Sequence, residues 1–583
     1  MSRVIVGFSG ARNSAHYLEK YNIRFVGHDS AVAILIDGKL AYAAEEERFN
    51  REKHTSELPG RALLNGLAYC DLKPGDIHCF AFPWKLNPAK IIKTGANHLV
   101  TIPFRLWPSI GKSGFGVIRD AMSAKNNVEA LKRQLKISVQ AEVIAVDHHI
   151  SHITSSYACS GFEDAAVLSI DGSGGYLSLL AGTYTQGRFI PTQSVRSPHS
   201  LGIVYSLITE FLGFRSGYDE YKVMGMAAYG NPVKYAEQFE QLIRPSGHGF
   251  QTKYTGLILN LPFCLSSIEK IFGLPKRSAG LELTQVHFDI AAALQKCVED
   301  QIFNVIQYLR TKTSSDNLCL SGGVFQNSVV NGKILLSGIF KNVFIPPVPG
   351  DSGTAVGAAI FAHRSLCTAK KINYKGNLAY LGPDYSESDY LIALQQFNHQ
   401  IDFHRSATAC NHAAGLIAQN KIIGWFNGRM EYGPRALGNR SILALPAKKG
   451  MMDRVNILIK NREAFRPFAA AVVAEKAADY FQIGQESPYM QFVVPVREDK
   501  IARLQAISHF GTCRIQSVDE GQNPVFHQLL VEVGALTGDP VLLNTSFNGK
   551  DEPIVCDPVQ AVQTFLKLNL DALIIGNFIV TRK

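Results

Sequence analysis

A strand, a loop and a hairpin recur in the same order at two places in this chain, and that repeat restricts the folds open to it. Val4 to Phe8 is a short apolar run of the kind buried in a sheet; after a loop, Val26-Gly-His-Asp-Ser30 leads into Ala31 to Ile36. Asp37-Gly38 supplies a hairpin turn before Leu40 to Ala44. Later, Ala166 to Ile170 is followed by a loop opening at Asp171, by Leu177 to Thr185, a Gln186-Gly187 turn and another strand. Such an echo predicts two homologous lobes, each a sheet with a phosphate loop beside its first strand pair, facing one another across a cleft. At 583 residues the chain exceeds what one core organises, so at least one further domain is expected.

Between the two copies lies Val146-Asp-His-His-Ile-Ser-His-Ile-Thr-Ser-Ser-Tyr-Ala158. If Ser151 to Cys159 is helical, His148 and His152 project from one face about one turn apart and can meet at one ion. His149 points off the other face, as a capping or core histidine. The second lobe's first strand ends at Asp171 and opens into a Gly/Ser-rich loop in which Gly172 and Gly174 offer backbone N–H groups to phosphate. Two imidazoles with hard oxygen ligands suit Fe(II), Mn(II) or Zn(II). Glu220 and Lys222 precede a Gly/Ala run that includes Gly225, where backbone can approach a ligand closely. At Leu318 to Asn327, which contains Ser321, Gly322, Gly323 and Asn327, and again at Val348 to Gly357, an apolar strand breaks into a glycine turn that opens a helix. Helix N-termini are natural anion sites. Together these stretches give an adenine-and-phosphate site, and Asp351 adds a second carboxylate able to complete the histidine pair's metal.

The net charge of +10, carried by 59 basic residues, suits anionic small molecules such as nucleotides. No concentrated Lys/Arg block with interleaved aromatics marks a nucleic-acid surface, so no nucleic-acid partner is expected. The ten cysteines are scattered without a CxxC pair, which excludes a disulfide framework or zinc knuckle and points to a reduced, cytoplasmic setting. The amino terminus lacks a signal-type apolar region, and no run of about eighteen apolar residues exists to cross a bilayer. Residues 85 to 136, rich in Lys, Phe, Trp and Pro, read as an insertion that either covers an acceptor site or elaborates the surface with helix.

A linker near Arg364 to Asn377 separates the second domain, giving expected domains of 1–365 and 366–583. Trp425 to Ser441 sets Arg429, Arg435 and Arg440 among glycines, a composition suited to a polyphosphate cradle because guanidinium forks match phosphate oxygens. Lys460, Arg462 and Arg466 follow, and Phe465, Pro467 and Phe468 around Arg466 argue for partial burial. Thr512-Cys-Arg-Ile-Gln516 and Val541 to Gly549 complete the set.

The His148-x-x-x-His152 pair, Asp171, the SGG-x-x-x-N loop at Ser321 to Asn327 and the PGDSG at Pro349 to Gly353 resemble the O-carbamoyltransferase family of nodulation-factor and antibiotic biosynthesis, over almost the whole chain. The first domain is similar to the tRNA threonylcarbamoyl-transferase, with the duplicated, RNase H-like layout of the actin-like (ASKHA) superfold. That resemblance implies that His148, His152, Asp171 and Asp351 ligate a metal, iron by the family pattern, and that His28 is the base near the acceptor hydroxyl. Residues 9 to 27 make a longer first loop than that pattern has. The pairing of Lys460-x-Arg462 with Ser546-x-Asn548 is similar to the KxR and SxN elements of YrdC-like α/β domains. It implies that Lys460, Arg462, Arg466, Arg514, Ser546 and Asn548 hold carbamoyl phosphate, with Lys460 and Arg466 catalytic and Arg435 and Arg440 at the phosphates of Mg2+-bound ATP. The expected activity is formation of carbamoyl-adenylate and transfer of its carbamoyl group to a hydroxylated small molecule, by a homodimer. A tRNA threonylcarbamoyladenosine-type enzyme is the alternative, and it would consume threonine and bicarbonate and bind tRNA. A hydrogenase-maturation carbamoyltransferase would need an acylphosphatase domain and paired CxxC elements, which this sequence lacks.

Overall fold

Val4, Ile5, Val6 and Phe8 are all buried, so the first strand has no polar face and belongs in the middle of a sheet covered on both sides. In the computed structural model, which describes residues 2–14, 27–85, 122–253, 261–367, 376–448, 450–459, 462–463 and 465–583, it does. Strands β1 (Val4–Phe8), β2 (Ala31–Ile36), β3 (Lys39–Glu45), β4 (Ile77–Phe82) and β5 (Glu142–Ala145) form one sheet in the order β3-β2-β1-β4-β5. β1 runs antiparallel to β2 and parallel to β4. The second copy comprises β6 (Ala165–Gly174), β7 (Leu177–Thr185), β8 (Arg188–Arg196) and, beyond a small hairpin of β9 (Ile243–Ser246) and β10 (Gly249–Thr252), β11 (Asn317–Ser321) and β12 (Asn342–Phe344). Their order is β12-β11-β6-β7-β8. Here too the first strand is antiparallel to the second and parallel to the fourth, and the fourth is parallel to the fifth. Two sheets with one strand order and one set of directions are the duplicated architecture of the actin-like fold.

The glycine-rich stretch after Asp171 differs from its expectation. β6 continues to Gly174, with the ladder to β7 shifting between Ile170 and Gly174, so the segment is an irregular strand end rather than an open loop. Of the 85–136 insertion, residues 86–121 lie outside the described residues. Ala124–Leu135 is a helix capped by Ser123 that buries Asn127, Val128 and Leu131, and the Asn127 amide oxygen accepts the Arg12 N–H at 2.8 Å.

Helix α1 (His148–Ser160) starts at Asp147, whose side chain accepts the Ile150 N–H, and stops at Gly161 in the left-handed region. Helix α2 (Gly353–Cys367) packs against both α1 and β1 through small residues. A Cβ on Gly357 would lie 1.8 Å from the Ser151 carbonyl oxygen, and one on Gly7 would lie 2.0 Å from that of Ala355. The close approach sets the distance between the helix carrying the histidines and the turn carrying Asp351. Gly357→Ala is therefore expected to cost about 1–3 kcal/mol or more through forced separation of the helices, read as a lower denaturant midpoint at an unchanged m-value.

The second unit, Gly376–Lys583 together with Glu47–Lys53 and Asn331–Leu336, is built on one mixed sheet. Its strands are β13 (Ile401–Arg405), β14 (Ile423–Phe426), β15 (Arg440–Ala444), β16 (Ala469–Val473), β17 (Phe492–Pro495), β18 (Thr512–Val518), β19 (Val541–Ser546), β20 (Ala572–Ile575) and β21 (Phe578–Arg582). They run in the order β13-β21-β20-β14-β15-β19-β16-β18-β17. Helices α3 (Ala409–Ala418) and α4 (Pro524–Thr537) bury Ala413, Ile417, Phe526, Leu529 and Val533 against Trp425, Leu443 and Ala471 of the sheet. Two early pieces of sequence are fastened into this unit. Arg48 donates to the Gly433 carbonyl at 2.7 Å, Arg51 to those of Ile554 and Pro553, both at 2.7 Å, and Asn331 to that of Gln491 at 3.0 Å. A single cut at residues 365 and 366 does not describe this division, because the chain enters the second unit twice before it stays there after Lys375. Among the described residues no helix is long and apolar enough to cross a membrane.

Candidate metal centre and anion pocket

Because α1 begins at His148, the histidine pair sits on its first two turns, where the start of α2 also delivers Asp351 and β6 delivers Asp171. His148 Nε2 and His152 Nε2 are 3.1 Å apart. Asp171 Oδ2 lies 2.9 Å from the first and 3.3 Å from the second. Asp351 Oδ1 lies 3.6 Å and 3.4 Å from them. One ligand atom from each residue thus falls within 4.8 Å of every other. Burial disfavours imidazolium here, yet Asp351 and Asp171 override it and push His148 up to about 10. Asp171 is likewise held well below the usual carboxylate range, against its burial, by bonds to the two histidines. Two nitrogens and two carboxylates facing inward call for a positive charge among them, and the donor set fits a divalent transition metal. His149 is spent elsewhere: its nitrogens meet Ser169 Oγ at 2.8 Å and the Leu177 carbonyl at 3.1 Å, and burial brings it down to about 4.

His28 Nε2 lies 3.6 Å from Asp351 Oδ2, and its Nδ1 is 2.9 Å from Asp29 Oδ2. Burial lowers the His28 imidazolium, but Asp351 and then Asp29 raise it to about 10. Asp29 has a second partner, His54, which nothing in the sequence pattern marked. Trp84 lies over the His148 ring, with centroids 4.2 Å apart.

The residues expected around a nucleotide are placed as follows. The Gly172 and Gly323 amides donate to Asp171 Oδ1 at 2.8 and 3.2 Å, so they steady the carboxylate rather than stand open to phosphate. Gly174 leaves room for the rings of His149 and His148, which a Cβ would meet at 2.5 and 2.8 Å. Gly322, at φ 95°, presses its backbone on Ile170, and its N–H bonds the Pro349 carbonyl. Ser321 Oγ is buried without a hydrogen-bond partner among the described residues. Asn327 exchanges bonds with Gln295 at 2.8 and 3.3 Å. Glu220 accepts from Ser206 Oγ and the Gly217 N–H, both at 2.6 Å, and burial raises its pKa. Lys222 pairs with Asp219 at 3.0 Å, and Gly225 lies within the short helix Glu220–Met226.

In the second unit Glu431 folds the arginine loop, accepting the N–H groups of Leu437, Asn439 and Arg440 at 2.8, 2.8 and 3.0 Å. Arg429 is tied to the carbonyls of Leu381 and Gly382. Arg440, wholly buried, donates through Nη1 to the carbonyls of Asn427, Gly428 and Asn439 and sits 3.6 Å above the Phe426 ring; among the described residues its Nε and Nη2 have no partners. Arg435 is half-buried on the same loop. Asn456 organises the next stretch, accepting from Arg462 Nε at 2.6 Å and donating to the Arg466 carbonyl at 3.1 Å. Arg462 stacks on Phe468 at 4.4 Å. Arg466 lies 3.5 Å from Glu463. Lys460 lies outside the described residues. On β18, burial and the neighbouring charge of Arg466 bring the Arg514 guanidinium down to about 10, and its Nε has no partner among the described residues. Ser546 ends β19, while the Asn548 amide closes its own loop onto the carbonyls of Gly549 and Glu552, both at 2.8 Å. Among the described residues Arg440 and Arg514, on β15 and β18 of one sheet, keep guanidinium nitrogens without partners, which suits them to an anion.

Comparison with known proteins shows the family. The family profile described as Carbamoyltransferase N-terminus matches residues 21–360, and that described as Carbamoyltransferase C-terminus matches residues 414–582. The chain is 35% identical to the nodulation protein NolNO of Sinorhizobium fredii, over 99% of this chain and 82% of that protein. It is 38% identical to the nodulation protein NolO of Bradyrhizobium diazoefficiens, over 75% and 79%, and 26% identical to the nodulation protein U of Sinorhizobium fredii, over 89% and 92%. The chain belongs to the carbamoyltransferase family and is an enzyme of that class.

Proposed function

We propose that this carbamoyltransferase makes a carbamoyl-adenylate from carbamoyl phosphate and ATP in its second unit and passes the carbamoyl group to a hydroxyl of a small-molecule acceptor in its first. The observation that carries the second stage is the position of His28 beside the four converging ligands, with Nε2 3.6 Å from Asp351. In the first stage Arg466 and Arg514, with Lys460 by the family pattern, hold carbamoyl phosphate. Arg435 and the spare Nη2 of Arg440 face the phosphates of Mg2+-bound ATP, and fixed cations neutralise charge as phosphate and then pyrophosphate depart. In the second, Asp29 takes the Nδ1–H of His28, leaving Nε2 to accept the proton of the attacking hydroxyl. His148, His152, Asp171 and Asp351 would hold a divalent cation, iron in our reading, which would supply Lewis-acid polarisation of the carbamoyl carbonyl and offset the Asp351 charge that raises the His28 pKa. Water releases phosphate from carbamoyl phosphate, the carbamate left displaces pyrophosphate from ATP, and the acceptor hydroxyl displaces AMP, so the products are a carbamate ester, AMP, pyrophosphate and phosphate.

The test is to incubate the protein with ATP and carbamoyl phosphate, follow AMP and pyrophosphate, and screen hydroxylated acceptors for the mass gain of one carbamoyl group. Pyrophosphate release that needs carbamoyl phosphate, with AMP formed alongside the ester, is the expected result; an ester formed without ATP would overturn the adenylate. His28→Gln should slow ester formation by roughly 10²–10⁴-fold with pyrophosphate release and metal content retained.

A further inference from the structure

We infer that His54 is a positioning residue for the transfer step: it grips the second oxygen of Asp29 so that the first stays on the Nδ1 of His28. This rests on the reading of His28 as the base. His54 Nδ1 lies 2.7 Å from Asp29 Oδ1, and His28 Nδ1 lies 2.9 Å from Asp29 Oδ2. One carboxylate therefore spans two imidazoles, with each oxygen taken by a different ring. Both ends of the second contact are strained. Asp29 has φ 58° and His54 has φ 57°, a region that residues with a Cβ seldom occupy and that tends to persist at functional sites.

The backbone around the pair is arranged to hold that strain. Ser30 donates its N–H to the Thr55 carbonyl at 3.0 Å, and Ser9 Oγ bonds the Asp29 carbonyl at 3.1 Å. The far side of His54 is met edge-on by Tyr218, at 4.9 Å between centroids, and Arg215 covers Tyr218 at 4.2 Å. The His54 side chain is still 24% exposed, so it is no core filler. Without it, Asp29 Oδ1 loses its partner and the carboxylate can turn about its Cβ–Cγ bond, releasing the His28 ring to rotate Nε2 away from the acceptor. An outer hydrogen-bond partner of this kind acts by orientation rather than by touching substrate.

The experiment compares His54→Ala, His54→Gln and His54→Asn in the full-length, metal-loaded enzyme, measuring kcat and acceptor KM for ester formation beside pyrophosphate release. An asparagine amide nitrogen stands where Nδ1 does, whereas that of glutamine falls nearer Nε2. The expected result is a fall in transfer kcat of roughly 10–100-fold for alanine and glutamine. Acceptor KM and pyrophosphate release stay unchanged, and asparagine restores most of the rate. Unchanged kcat in His54→Ala would overturn the assignment. So would an asparagine variant as slow as the glutamine one at equal Tm, since the residue would then only tie down a turn. If His54→Ala does not fold, the asparagine and glutamine pair decides alone. A wild-type protein that forms no ester with any acceptor would sink the two-stage reading and this inference with it; ester in the wild type with all three variants unimpaired sinks this inference alone.

Discussion

His152→Ala is expected to lower carbamoyl transfer by roughly a thousandfold, about 4 kcal/mol of transition-state stabilisation, while carbamoyl phosphate-dependent pyrophosphate release continues. The reason lies in how closely the four groups share their space. His152 Nε2 is 3.1 Å from His148 Nε2 and within 3.4 Å of both carboxylates, so removing it would open a position of the proposed metal site and leave Asp171 and Asp351 facing each other with one imidazole fewer. Elemental analysis of the folded variant should show the metal lost. Equal loss of both half-reactions would break the assignment of one to each unit.

Arg514→Met is expected to have the opposite profile: pyrophosphate release falls by roughly 10²–10³-fold, as when a fixed donor to developing charge is removed. Transfer from adenylate supplied directly should persist. Arg514 lies close enough to Arg466 for the two charges to disfavour each other, and its Nε is buried without a partner among the described residues. A group so placed suits the proposed carbamoyl phosphate site. Thermal unfolding checks this: the ligand-free variant should melt no lower than wild type, while carbamoyl phosphate should raise the wild-type Tm and leave the variant's unmoved.

Much of the first unit is legible in its sequence because its signals are local. The strand, turn and hairpin at Val4 to Ala44 are set by burial pattern and by Asp37-Gly38, and the copy beginning at Ala166 repeats them, so the duplicated sheets follow. The histidine pair could be found because a four-residue spacing is a property of one helix, and Asp171 and Asp351 because each ends an apolar run. What stayed hidden depends on contacts between distant segments. The Gly172 and Gly323 amides look like phosphate donors until Asp171 is seen to occupy them. Three arginines among glycines look like a cradle, yet Arg429 holds the carbonyls of Leu381 and Gly382, and Arg440 spends its Nη1 on the loop's own carbonyls. His54 could not be singled out, since its meaning comes only from an aspartate on another loop. Likewise Glu431 and Asn456 read as ordinary polar residues until their bonds to backbone and arginine are known.

The fastening of Arg48 and Arg51 to the carbonyls of Gly433, Pro553 and Ile554 bears on any attempt to take the enzyme apart. A gene fragment starting at Gly376 encodes neither arginine, nor the Asn331 that reaches Gln491. It would emerge with those acceptors stripped and would aggregate or melt early. Splitting the two chemistries onto independent polypeptides thus requires supplying the missing stretches as peptides or grafting them by redesigned loops.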